Sequence, residues 1–122
     1  MDKTVSYPSS SKDMIAATQL SAYPNSTEVV SLTVINNDSR YQEITDVSIQ
    51  FYYKDQWYSL KEPNYGEFLP PANSISIAPG EEITLEVGLE KYGLPLKAGH
   101  YRAAVEIVRN REYVTAEFDI TK

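Results

Sequence analysis

Between Met14 and Ile120 no long stretch keeps the 3.6-residue apolar period of a helix; β-branched and aromatic runs instead alternate apolar with polar and stop at turn clusters roughly every ten residues. The run Val29–Ile35 sets Val30, Leu32 and Val34 on one face against Val29, Ser31, Thr33 and Ile35 on the other, and ends at Asn36-Asn37-Asp38-Ser39. Asp46–Tyr53 sets Val47, Ile49, Phe51 and Tyr53 against Asp46, Ser48, Gln50 and Tyr52. Lys54-Asp55-Gln56 then turns the chain into Trp57–Leu60, a hairpin whose register, and with it the direction of Trp57, depends on whether the loop holds two residues or three. After the turn Pro79-Gly80, Ile83, Leu85, Val87 and Leu89 alternate with Glu82, Thr84, Glu86 and Gly88. Two last runs, Tyr101–Val108 and Tyr113–Ile120, flank Arg109-Asn110-Arg111-Glu112, with Ala103, Val105 and Ile107 inward on one and Val114, Ala116, Phe118 and Ile120 on the other. With a weakly patterned edge run Ile15–Tyr23 and a short one at Ser74–Ile77, seven to eight strands are expected.

Strands with one wet face cannot stand alone, so two sheets must pack their apolar faces together about 10 Å apart. The expected class is therefore all-β, a two-sheet antiparallel sandwich, with an up-and-down barrel as the closure that alternation alone leaves open. A chain of 122 residues fits one domain. We assign 14–122 to the sandwich and 1–13, rich in Ser, Lys and Asp, to a flexible N-terminal tether.

The net charge of −6 would repel a phosphate backbone, which argues against nucleic acid as a partner. The absence of cysteine removes disulfides, thiolate metal sites and cysteine nucleophiles. No apolar run approaches the roughly 20 residues needed to span a bilayer, so no transmembrane segment is expected in this chain.

A choice between sandwich and barrel comes from Leu96-Lys97-Ala98-Gly99-His100-Tyr101, which has the form Leu-x-x-Gly-x-Tyr just before an alternating strand. In sandwiches a tyrosine at such a corner folds its ring into the core and bonds its hydroxyl to backbone upstream; Leu96, Gly99 and Tyr101 are the expected structural corner. Together with Leu32-Thr33-Val34-Ile35-Asn36-Asn37, Gln56-Trp57-Tyr58, Pro79-Gly80-Glu81-Glu82, Tyr101-Arg102 and Glu117-Phe118, this segment resembles the bacterial immunoglobulin-like domain family of Gram-positive envelope proteins and lipoproteins. The sequence departs from that pattern at Lys54-Asp55-Gln56, where the family carries a glycine-containing turn, and at Ala98, where proline is usual. The resemblance implies an immunoglobulin-like sandwich, an extracytoplasmic location and no catalytic residues; function must still be argued from a site.

Chemistry is sparsely signalled. The single histidine, His100, falls in the corner and reads as an exposed loop residue, and no Gly-x-Ser-x-Gly elbow presents a nucleophile. Glu81, Glu82 and the scattered aspartates form no calcium loop, and the five isolated glycines form no phosphate loop, so no metal, cofactor or catalytic residue is expected. The candidate binding surface is aromatic: Tyr52, Trp57, Tyr58, Tyr65 and Phe68 gather in the hairpin and the following loop Lys61–Ala72. Two readings follow. One is a non-enzymatic structural or interaction module of an extracytoplasmic protein, docking a protein or glycan partner at the cell surface by surface complementarity; the other is a carbohydrate-binding sandwich that stacks sugars on exposed rings. Coplanar, exposed rings would favour the second.

Overall fold

Ten strands and one turn of 3-10 helix (Glu90–Tyr92) build two packed sheets in the computed structural model, which describes residues 2–3, 13–60, 74–108 and 112–122. The strands are β1 (Asp2–Lys3), β2 (Met14–Thr18), β3 (Ala22–Pro24), β4 (Val29–Asn36), β5 (Gln42–Tyr53), β6 (Gln56–Ser59), β7 (Ile75–Ile77), β8 (Glu82–Gly88), β9 (Gly99–Ile107) and β10 (Glu112–Thr121). The larger sheet runs β1-β6-β5-β9-β10-β3 with β7 paired to the start of β5; the smaller runs β2-β4-β8. All pairings are antiparallel except that of β3 with β10. An all-β sandwich is therefore the fold, and among the described residues no strand pairing joins the two sheets into a barrel.

The strand count exceeds the expected seven to eight for a local reason. The run Ile15–Tyr23 divides: β2 pairs with β4 in the smaller sheet, and β3 pairs with β10 in the larger. The crossing is held where Thr18 Oγ1 donates to the Leu20 carbonyl at 2.7 Å and the Leu20 N–H donates to the Tyr23 hydroxyl at 2.9 Å. At the N-terminus Asp2 and Lys3 pair with Ser59 and Tyr58 of β6, inside the segment expected as a tether.

Most inward positions are those the alternation predicts; the exceptions are Tyr53, exposed at the end of β5, and Gln50 and Ala104, which are buried on the outer face. Val30, Leu32 and Val34 of β4, Ile49 and Phe51 of β5, Ala103, Val105 and Ile107 of β9, and Val114, Ala116, Phe118 and Ile120 of β10 are all buried. A bulge in β5 between Ile44 and Val47 shifts the ladder against β9 by one residue. Among the described residues three polar side chains are buried as well, Asn36, Gln42 and Gln50. Asn36 is fully buried, and its amide donates to the carbonyls of Arg40 and Ile77 while its Oδ1 accepts the Asp38 N–H, which ties the end of β4 to β7.

At the entrance to β9 the Tyr101 ring, 2% exposed, lies 4.9 Å from Phe51 and 5.9 Å from Phe118 between centroids. Its hydroxyl donates to the Lys97 carbonyl at 2.5 Å, and Leu96 is buried in the same core. Gly99 is required by proximity, since a Cβ there would meet Phe51 Cε1 at 2.5 Å. Burial pushes the Tyr101 phenol up to about 12.

Two consequences can be measured by thermal unfolding. Tyr101→Phe keeps the ring and loses the hydrogen bond, so it should cost about 1 kcal/mol, and an unchanged melting curve would remove the corner's role. Because the folded phenol titrates above its unfolded value, its stabilisation is complete below about pH 10 and is lost as pH rises toward 12; the Phe variant should lack this component. Gly99→Ala should cost about 1 to 3 kcal/mol through overpacking against Phe51.

Candidate functional site

Lys54 and Asp55 both have positive φ, 48° and 66°, which closes a two-residue turn with Tyr53 opposite Gln56. That register pairs Trp57 with Tyr52, so both side chains lie on the outer face of the larger sheet. Tyr58 pairs with Phe51 and lies on the opposite face, where its ring is 6.4 Å from Tyr53. The structure thus brings Tyr52 and Trp57 together and separates Tyr58 from them; Tyr65 and Phe68 lie outside the described residues.

Two rows of side chains cross this outer face. In the first, Trp57 stands opposite Tyr52, and on the far side His100 stands opposite Asp119; in the second, Ser59, Gln50, Arg102 and Glu117 succeed one another across β6, β5, β9 and β10. The Tyr52 and Trp57 rings are 5.0 Å apart but inclined at 59°, and His100 lies 5.6 Å from Trp57 and 6.2 Å from Tyr52. The Arg102 guanidinium sits 4.1 Å from the centre of the Trp57 ring, a cation–π contact, while its Nε–H donates to Oε1 of the buried Gln50 at 2.5 Å. The Tyr52 hydroxyl donates to Asp55 at 3.1 Å, which raises its phenol above the usual value.

His100 belongs to β9 and not to a loop. Its Nδ1 lies 2.6 Å from Asp119 Oδ1 and its Nε2 2.5 Å from Glu117 Oε1. Only the doubly protonated ring can donate to both carboxylates, so the hydrogen bonds to Asp119 and then Glu117 raise its pKa, against a smaller lowering by burial. This geometry also limits the chemistry. With both nitrogens facing carboxylates, the ring is not placed to take a proton from a nucleophile. The two carboxylates grip opposite edges of the imidazole and do not converge with it on one point; among the described residues no group of three or more acidic or histidine side chains is arranged to hold a metal ion.

Gln50 and Asp119 carry no motif in the sequence, and Arg102 and Glu117 stand there only in the scaffold motifs Tyr101-Arg102 and Glu117-Phe118, so none of the four was among the candidate site residues. Alternation places Glu117 and Asp119 on the wet side of the last strand, but facing them with His100 and Arg102 needs the register of the β9–β10 hairpin, in which Ile107 opposes Glu112.

Comparison with known proteins decides the family. The profile of a bacterial Ig-like domain matches residues 12–119. The chain belongs to that family. Among curated proteins none matches it. Among solved structures, this Ig-like domain is similar to part of a β-glucosidase of Erythrobacter marinus (14% identity, TM-score 0.51, 88% of this chain and 15% of that one). Others are a β-glucosidase mutant of Listeria innocua in complex with laminaribiose (14%, TM-score 0.46, 89% and 16%) and the alkylpurine DNA glycosylase AlkC of Pseudomonas fluorescens bound to DNA containing an abasic site analog (12%, TM-score 0.45, 93% and 32%). The domain spans less than a third of each, and at such identities the first likeness shows the fold alone. Among the described residues no helix is long and apolar enough to cross a membrane.

The clamp around His100 has a pH signature. The folded-state pKa lies above the unfolded value, so the clamp's stabilisation is fully present below about pH 6.5 and is lost as pH rises through the elevated folded pKa. Proton NMR of the His100 ring should show the raised titration, Glu117→Gln with Asp119→Asn should return it toward 6.5, and a wild-type value at or below 6.5 would rule the clamp out.

Proposed function

We propose that this Ig-like domain is a non-catalytic interaction module of a bacterial extracytoplasmic protein, and that it meets a protein partner through the outer face of the larger sheet. The observation that carries this reading is the mutual engagement of the site's chemical groups: His100 holds two carboxylates, and Arg102 covers Trp57 and bonds Gln50. What remains is a patterned surface, rings beside fixed charges of both signs, suited to recognition by complementarity. Family membership supports a structural or interaction role and an extracytoplasmic setting.

The carbohydrate-binding reading fares less well on the same geometry. Sugar stacking uses a flat ring open on one face, whereas Tyr52 and Trp57 are tilted by 59° and Arg102 occupies a face of the indole.

Fluorescence of Trp57, the only tryptophan, separates the two readings. Acrylamide should quench it partially, as suits a half-buried ring, and a panel of oligosaccharides including peptidoglycan fragments should leave the quenching unchanged. Saturable protection by a glycan would replace the protein-docking reading with the carbohydrate-binding one. Arg102→Ala should raise the quenching constant and cost about 1 kcal/mol of stability. In intact cells, a photo-crosslinking residue in place of Tyr52 should trap a discrete protein partner; a parent protein that yields no adduct counts against docking at this face.

A further inference from the structure

The sheet edges are unequally protected. In the larger sheet the short strand β1 lies along β6, and β3 lies along the end of β10. In the smaller sheet, β2 runs close beside β10. The remaining edge is β8. The strand before it, β7, pairs with β5 of the other sheet, and among the described residues only β4 pairs with β8.

The direction of the open backbone groups follows from two hydrogen bonds. The Leu89 N–H donates to the Glu28 carbonyl and the Asn36 N–H to the Glu81 carbonyl, so odd-numbered residues of this strand face β4. Glu82, Thr84, Glu86 and Gly88 therefore turn their N–H and C=O groups away from the sheet, a row long enough to template another strand. Side chains divide the same way. Ile83 and Leu85 point toward the core but stay half-buried, whereas their neighbours in the ladder, Leu32 and Val34, are fully buried. Glu82, Thr84 and Glu86 are exposed on the outer face.

We propose that β8 is a strand-accepting edge for a partner segment that alternates apolar and basic residues. Apolar residues of the added strand cover Ile83 and Leu85 from the side, and Lys or Arg residues on the other face meet Glu82 and Glu86. The carboxylates also decide against a second copy of this chain. Antiparallel pairing of two β8 strands about Thr84 sets Glu82 of each opposite Glu86 of the other, so like charges oppose across the strands. This edge lies in the opposite sheet from Trp57, and its role does not rest on the docking face proposed above.

The probe is a nine-residue peptide of alternating valine and lysine, with two controls: the same peptide N-methylated at alternate backbone positions, and a valine–glutamate counterpart. Titration into the 15N-labelled domain should shift the amide signals of Glu82, Thr84, Glu86 and Gly88 and slow their hydrogen exchange. The valine–glutamate peptide should not bind. Glu82→Gln with Glu86→Gln, both exposed positions, should weaken binding about five- to tenfold while the rest of the spectrum stays in place. Shifts centred elsewhere, equal binding of the N-methylated peptide, or no binding at about 1 mM would each overturn the proposal. So would dimerisation of the free domain through β8. Trp57 fluorescence recorded in the same titration reports on the aromatic face alone, so either idea can fail without the other.

Discussion

The hydrogen bond from Tyr101 to the Lys97 carbonyl anchors more than the corner in which it lies. By holding the Tyr101 ring between Phe51 and Phe118, it sets the phase of β9, the central strand between β5 and β10. In a strand of period two, fixing one residue fixes all the others. Tyr101 inward makes Ala103, Val105 and Ile107 inward, and it sends His100 and Arg102 to the outer face. The core and the outer face of the larger sheet are two sides of one constraint. Gly99 allows it, because the aromatic ring of Phe51 occupies the space a side chain would need.

A second constraint aligns the other half of the face. The two-residue turn at Lys54-Asp55 puts Trp57 in register with Tyr52; one residue more in that loop would carry Trp57 to the inner side and Tyr58 outward. Backbone at positive φ costs a non-glycine residue strain, and Asp is among the residues that tolerate it best. The Asp55 carboxylate also receives the Tyr52 hydroxyl, so the turn and the aromatic pair it positions support each other. Turn geometry on one hairpin and a buried tyrosine on a neighbouring strand thus bring Trp57 and Arg102 within cation–π distance, although 45 positions separate them in the chain.

The inner face was legible from sequence because burial enforces strict alternation, and Val30, Leu32, Val34, Val105 and Phe118 all occupy the positions it assigns. Sheet membership was less legible. Nothing within Ile15–Tyr23 announces that the run changes sheets, since each half takes its partner from a distant strand. The turn cluster at Asn36 was readable as a turn, but the buried role of its side chain depends on the carbonyl of Ile77, 41 residues away. His100 shows the same limit. Its placement one residue before the corner tyrosine suggested a loop, whereas β9 begins a residue earlier, at Gly99, and its carboxylate partners arrive from β10. Cross-strand chemistry is written in register, and register is a property of pairs of strands.

Charge links these features to what such a domain can bind. With a net charge of −6, the chain could have gathered its carboxylates anywhere, yet on the outer face of the larger sheet Glu117 and Asp119 share His100 between them and Glu117 stands opposite Arg102, while among the described residues Glu82 and Glu86 of β8 have no cation opposite them in the ladder. The two surfaces therefore differ in kind. The first has basic groups set among its carboxylates, so a partner there gains mainly from shape and ring contacts. The second carries carboxylates that, among the described residues, meet no cation, Glu86 accepting only the Ser31 hydroxyl, beside open backbone groups, an arrangement that repels its own copy and favours a basic segment. An acidic sandwich can in this way avoid edge-to-edge self-association and still keep one edge selective.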